Sequence, residues 1–138
     1  MKKIFVSTII IGIIIVLIFN FLKKQKAIDY LKRNNVGFSK NTFFDLVKKG
    51  NLVSVKMLLE AGMDINSRDE SDCTALHWAG AELNMDMIEL LIDYNADLYA
   101  KDNQNASVLH YSIMSAHPYN MSFNRNNYLR ACLSMPSI

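Results

Sequence analysis

Cysteine is scarce in this 138-residue chain: Cys73 and Cys132 are the only two, far apart and without C-x-x-C spacing. That excludes a disulfide framework and gives no zinc-ligand pattern. The plain reading is two semi-buried thiols, a single bridge between them being reserved for an oxidising compartment. Also missing are a glycine-rich phosphate loop, a G-x-S-x-G elbow and an H-E-x-x-H helix, short patterns that place phosphate, nucleophile or metal chemistry directly. The densest carboxylates, Asp69, Glu70 and Asp72, fall in a turn-forming stretch and read as a solvated rim, with no glycine placed as a calcium loop requires. Cys73 and His77 are four apart across the entry to a helix, where the two side chains need not share a face. The expectation is a non-enzyme with no cofactor and no metal. Charge excludes nucleic acid as a partner: residues 41–138 carry seven Lys or Arg against twelve Asp or Glu, leaving no basic stripe to follow a phosphate backbone.

The basic residues gather elsewhere. Residues 1–40 hold eight Lys or Arg against the single acid Asp29, around a nearly unbroken apolar run from Ile4 to Leu22 that is softened only by Ser7, Thr8, Gly12 and Asn20. Nineteen residues make a helix about 29 Å long, close to the roughly 30 Å hydrocarbon thickness of a bilayer. The run predicts a single-pass membrane helix, with residues 1–26 as the anchor and its flanks. Lipid contact is expected through residues 4–22 and through a basic collar, Lys23, Lys24 and Lys26, with Lys32 and Arg33 beyond it, which suits anionic headgroups. Gly12 stands alone, so no small-xxx-small pairing motif is completed by glycine and passive anchoring is expected.

A cleaved secretory signal is the competing reading, since Lys2 and Lys3 form a basic start. Its core would be shorter, about 7–15 residues, and would end at a small-x-small site; Phe21-Leu22-Lys23-Lys24 supplies none before Ala27. A buried soluble helix is the third and weakest reading. Five basic residues after the run against two before it place the following region in the cytoplasm by the positive-inside tendency. A short basic start followed by an apolar run also looks like a signal anchor, which would carry that region across the membrane. The charge count tips the expectation slightly toward the cytoplasm.

Shifted by 33 residues, the chain meets itself: Asn51 falls on Asn84, Leu58 on Leu91, Asp64 on Asp97, Asp69 on Asp102 and Leu76-His77 on Leu109-His110. A fixed period in the low thirties marks units that cannot bury their own apolar face and stack on their neighbours. Such an array points to a surface that grips another macromolecule. Within each unit apolar residues recur at helical spacing, Leu52, Val55, Met57, Leu58 and Leu59 in one copy and Met85, Ile88, Leu90, Leu91 and Ile92 in the next. These helices close at Ala61-Gly62 and Tyr94-Asn95, where Gly and Asn both tolerate a left-handed backbone. The polar stretches Asn66 to Cys73 and Tyr99 to Ala106 read as turns or hairpins, with Asp72 and Asn105 at a tight position. Thr74 and Ser107 then open the following helix as N-caps, each worth about 1 kcal/mol.

Thr74-Ala75-Leu76-His77-Trp78-Ala79 resembles the T-P-L-H-x-A signature of ankyrin repeats. Leu58 to Asn66 (LLEAGMDIN) and Leu90 to Asp97 (LLIDYNAD) resemble the L-L-x-x-G-A-D stretch that closes them. The resemblance covers about residues 41–116 and implies an all-α, short ankyrin-repeat solenoid behind the single N-terminal transmembrane helix. Residues 27–40 are then a linker or capping helix, 41–116 about two full units and the start of a third, and 117–138 a degenerate cap or a loosely ordered tail. Departures accompany the match. Ala75 and Val108 stand where proline is usual, Leu83 stands where Gly50 stands one unit earlier, and Phe43-Phe44 replaces Leu-His, which suits a capping unit. His117-Pro118 breaks the period, and Tyr128 to Leu133, the next apolar stretch, is expected as a displaced second helix sealing the open end. The resemblance implies that His77 and His110, repeating in register, hydrogen-bond backbone groups between neighbouring hairpins.

A concave face of hairpin tips and first-helix positions is also implied. Carried over by register, it comprises Arg68, Glu70, Ser71, Cys73, Ala81, Glu82 and Tyr94 in one unit, and Lys101, Asn103, Gln104, Ala106, Met114 and Ser115 in the next. Tyr94 and Arg68 are the expected anchors, since Tyr and Arg are enriched at interface hot spots. Trp78 has two readings, packed between helices or exposed on the concave face, of which the packed one is preferred. The function implied is non-catalytic binding of a protein partner at a membrane, as adaptor, scaffold or inhibitor, with the acidic repeats favouring a basic partner surface. The alternative is an exported or periplasmic binder that neutralises a toxin or enzyme.

Overall fold

Three kinds of left-handed turn divide the chain, and each recurs at the repeat period. The computed structural model describes residues 2–116, with side-chain surroundings from residue 9 onward. Its helices are α1 (Lys2–Arg33), α2 (Lys40–Lys48), α3 (Leu52–Ala61), α4 (Ala75–Ala81), α5 (Met85–Asp93) and α6 (Val108–Ala116). Asn35, Gly62 and Asn95, all at positive φ, follow α1, α3 and α5. The next residue donates its N–H to a carbonyl five back: Val36 to Leu31 at 2.9 Å, Met63 to Leu58 at 2.9 Å and Ala96 to Leu91 at 3.0 Å. Satisfying a late helix carbonyl in this way requires the left-handed residue, so α1 ends as the second helix of a unit does.

The second kind of turn joins α2 to α3 and α4 to α5, through Gly50 (φ 67°) and Leu83 (φ 51°). Asn51 and Asn84 then cap the following helices, each side-chain oxygen accepting a backbone N–H at 3.0 Å, from Ser54 and Met87. Asp72 and Asn105, with φ of 60° and 64°, turn the two hairpins as the sequence leads one to expect. Opposite them Asp69 N–H donates to the Cys73 carbonyl and Asp102 N–H to the Ala106 carbonyl, both at 3.0 Å.

α2, α4 and α6 pack side by side as one layer, and α1, α3 and α5 as a second. Between them lie Phe43, Val47, Val55, Leu58, Leu76, Met87 and Leu91, all fully buried. Gly80 sets the spacing of α4 and α6: a Cβ there would meet Ser112 Oγ at 2.9 Å and the Val108 carbonyl oxygen at 3.3 Å. His77 contributes to this interior as a polar core residue, and Trp78 is half-buried with its indole N–H donating to Asp69 Oδ2 at 2.8 Å.

α1 is one uninterrupted helix with two environments. Ala27 and Leu31 are buried in the common core, whereas every residue from 9 to 22 is exposed. Lys23 pairs with Glu60 of α3 at 3.2 Å, and the Lys24 ammonium lies 3.5 Å from where a Cβ on Gly62 would stand, at the carbonyl end of α3 where a cation is favoured. Two members of the expected lipid collar therefore lean on the repeat region. The expected transmembrane span is not found: among the described residues no helix is long and apolar enough to cross a membrane. The described apolar side chains run from Ile9 to Leu22 and are closed by Lys23, Lys24 and Lys26. The cap or tail expected over 117–138 lies outside the described residues.

Leu83 is the strained member of its turn class. A bulky side chain in the left-handed region costs about 1–2 kcal/mol, and Leu83 is 45% exposed, so packing offsets this only in part. Leu83→Gly is expected to stabilise the fold by about 1 kcal/mol, read as a higher Tm on thermal unfolding; an unchanged or lower Tm would show that the leucine side chain is needed where it stands.

Candidate protein-interaction surface

The hairpins are held to one another before any side chain is free to bind. The Arg68 guanidinium donates through Nη1 to the Asp72 carbonyl at 2.8 Å and to the Lys101 carbonyl of the next hairpin at 2.7 Å. Asn103 N–H reaches the Ser71 carbonyl at 3.2 Å, and Asp97 N–H reaches Asn66 Oδ1 at 2.9 Å. Arg68 thus acts chiefly as a clamp between hairpins, with its remaining surface exposed.

Each hairpin is also tied to its own helix by a carboxylate. Asp69 Oδ1 accepts from the Ser71 and Cys73 N–H groups while Oδ2 accepts from Trp78. One unit on, Asp102 Oδ1 accepts from the Gln104 and Ala106 N–H groups while Oδ2 accepts from the Tyr111 hydroxyl at 2.7 Å. Both carboxylates and both aromatic donors are 33 residues apart. The period exposes the pairing of Asp69 with Asp102, but sequence reasoning did not connect the carboxylates to Trp78 and Tyr111. The signal was the shared spacing of nine. Trp78 is further covered by Lys48 of α2, whose ammonium lies 3.7 Å from the ring centroid, so the packed reading holds.

Cys73 requires a correction. It is 1% exposed and its thiol lies 3.0 Å from the Tyr111 hydroxyl, because the hairpin folds that position inward beneath α6. Burial pushes the thiol up to about 11, and the same desolvation, with hydrogen bonds to Cys73 and Asp102, raises Tyr111 strongly. Ala106 is likewise buried. Neither presents a side chain to a partner. Tyr94 departs differently: half-buried at the end of α5, its hydroxyl donates to Glu60 Oε1 at 3.1 Å, and Glu60 is the residue paired with Lys23. Burial, then Glu60, pushes Tyr94 up to about 12. It belongs to the α1 side of the array, apart from the other proposed anchor, Arg68.

The remaining expected residues do gather along the hairpins and the first-helix layer. Glu70, Lys101 and Asn103 are exposed on the hairpins, with Ser71 and Gln104 half-buried beside them. On the helices, Glu82 is exposed and Ala81, Met114 and Ser115 are half-buried, Ser115 Oγ donating to the Ala81 carbonyl at 2.6 Å. Among the described residues no group of three or more His, Cys, Asp or Glu is arranged to hold a metal ion.

A family model described as ankyrin repeats (3 copies) matches residues 43–122. The chain is 38% identical over 96 residues to the fowlpox virus (strain NVSL) ankyrin repeat protein FPV244, covering 70% of this chain and 13% of the relative. It is 36% identical over 56 residues to FPV222 of the same virus, covering 41% and 8%, and 41% identical over 51 residues to serine/threonine-protein kinase 12 of Arabidopsis thaliana, covering 37% and 11%. The chain therefore spans only about a tenth of the length of these curated relatives.

His77 gives the array a pH response. Its Nδ1 accepts from the Thr74 N–H at 3.1 Å and lies 2.8 Å from the Thr74 hydroxyl, which leaves Nε2 to donate to the Ala106 carbonyl at 3.3 Å. A ring that accepts through one nitrogen is neutral, and burial lowers its pKa despite the Ala106 carbonyl. In the unfolded chain imidazole titrates near about 6.5. Below that the unfolded chain takes up a proton that the folded chain does not, so stability falls as pH drops from about 6.5 toward the lowered folded value. The expected outcome is an unfolding free energy that declines between pH 7 and 5, by up to about 1.4 kcal/mol per pH unit, with a shallower slope in His77→Gln, read by chemical denaturation at each pH. Equal slopes would assign the effect to other groups.

Proposed function

The chain belongs to the ankyrin-repeat family, and on that premise we propose that it is a non-catalytic protein-binding module held at a membrane by α1. The observation that carries the binding reading is the division of labour along the hairpins. Backbone groups, Arg68, Asp69 and Asp102 hold the frame, while Glu70, Lys101 and Asn103 project into solvent with side chains that the frame does not use. A fixed backbone carrying exposed polar groups suits recognition of a protein surface, since little order is lost on binding. The non-catalytic reading is supported, among the described residues, by the state of Cys73, which is buried with its thiol pushed up to about 11, and of His77, which is engaged in hydrogen bonds through both ring nitrogens.

Attachment to lipid is supported by the exposed half of α1. From Ile9 to Leu22 it carries hydrocarbon on all sides apart from Gly12 and Asn20, and all of these residues face out. A helix apolar all round calls for an apolar surrounding, and in the sequence the run continues back to Ile4. By the distribution of Lys and Arg we place the array on the cytoplasmic side.

Two measurements test the two parts. The full chain is expected to stay with membranes through alkaline carbonate extraction and to move to the supernatant when Ile14→Lys and Leu17→Lys are combined; extraction of the unchanged chain would remove the membrane part alone. For binding, a photoreactive side chain at Asn103 is expected to capture one defined protein that the same group at Val53 on α3 does not. Glu70→Lys with Glu82→Lys is expected to weaken that capture at least about tenfold, or 1.4 kcal/mol, at unchanged Tm. Equal capture from both positions would remove the concave-face assignment.

A further inference from the structure

The fold draws two lysines out of the lipid collar and leaves an apolar cleft beside them. Lys23 is held by Glu60, and Lys24 lies at the carbonyl end of α3. Between the last turns of α1, the loop that follows it and the end of α3, a cleft of about 640 Å³ is walled by Ile28, Leu31, Val36, Phe38 and Ala61. Among the described residues lining it, Lys32 alone carries a charge. Phe38 is 57% exposed and takes no part in the core cluster. The cleft also continues a stripe along α1. Leu17, Phe21, Lys24, Ile28 and Lys32 recur at intervals of three or four residues and so share one helix face. Leu17 and Phe21 are exposed. Lys24 interrupts this apolar path only with its hydrocarbon stem, since its ammonium is at Gly62.

We propose that the cleft seats one anionic phospholipid of the adjoining leaflet, its phosphate at Lys32, its upper methylenes against Ile28, Val36 and Phe38, and the rest of its chain along Phe21 and Leu17. The length fits: from Leu17 to Lys32 the helix rises about 22 Å, and half of a bilayer about 40–45 Å thick, headgroups included, is one lipid long. The chemistry fits as well. A peptide would bring backbone N–H and C=O groups that walls of this kind leave unpaired, whereas an acyl chain brings none. The single cation sits at the end of the stripe farthest from the hydrocarbon, where an anionic headgroup is drawn to it. The site presupposes the membrane attachment proposed for α1, and gives that attachment a lipid class and a seat on the array that the collar lysines Lys23 and Lys24 do not supply.

Tryptophan fluorescence makes the seat testable in the full chain, reconstituted into phosphatidylcholine vesicles that contain phosphatidylglycerol brominated in its upper acyl positions. Trp78 is the sole native tryptophan and is hydrogen-bonded to Asp69 in the first-helix layer, so the emission added by Phe38→Trp reports the cleft. Brominated phosphatidylglycerol is expected to quench that added emission, and the same fraction of brominated phosphatidylcholine to quench it far less. Lys32→Gln is expected to weaken the dependence on phosphatidylglycerol about fivefold. Lys26→Gln, an equal loss of charge on the opposite face of α1, is expected to leave it nearly unchanged. Equal quenching by the two lipids, or equal effects of the two lysine substitutions, would overturn the anionic seat in favour of diffuse contact. Absence of quenching in a chain that floats with the vesicles would overturn the cleft as a lipid site and leave membrane attachment standing. A chain that does not float would remove both.

Discussion

Each helical pair in this chain exposes an apolar face that it has no means of covering alone, and the rest of the structure depends on how the next layer covers it. Leu76 is buried in a helix of seven residues on which α2, α5 and α6 all pack. Burying a leucine side chain is worth about 1.5–3 kcal/mol, and a helix of seven to ten residues has too few hydrogen bonds to stand by itself in water. The left-handed turns, the hairpin clamps and the Gly80 contact are therefore the means by which short helices are brought to a distance at which they can cover one another.

That dependence makes the two ends of the array the informative places. At the start the layer is closed by α1, which ends with the same hydrogen-bonded turn as α3 and α5 yet extends far beyond them. The helix that completes the core and the helix that carries the exposed apolar residues are one rod, joined to α3 by Lys23 and Glu60 and through Glu60 to Tyr94 of α5. Whatever surrounds residues 9–22 is thus coupled to the array by a continuous helix rather than by a flexible linker. At the other end α6 carries the residue types of a core helix, with Leu109 and Ile113 exposed.

Much of the fold was legible in the sequence because the period carries it. Gly62 and Asn95, Asp72 and Asn105, and Gly50 and Leu83 fall at equivalent places, and all six have positive φ. The candidate surface was less legible. Register assigns a position to a hairpin but does not tell whether its side chain points outward, so Cys73 was grouped with Glu70 although it folds under α6. Residue type alone points to Tyr94 as an anchor, whereas its hydroxyl donates to Glu60 of the neighbouring unit. Lys23 and Lys24 read as a lipid collar because the sequence shows what they follow along the chain, but not what lies beside them in space.

By itself the sequence determined the unit: two short helices, their caps, their turns and the 33-residue step, all consequences of local backbone preference and apolar spacing that act within a few residues. Only the tertiary structure decided which of those residues are spent on the frame. Asp69 and Asp102 became ties between hairpin and helix because the fold of each unit brings partners two to nine residues away onto one carboxylate, whereas Arg68 became a clamp and Cys73 a buried thiol because the stacking of units brings Lys101 and Tyr111, 33 and 38 residues away, within about 3 Å.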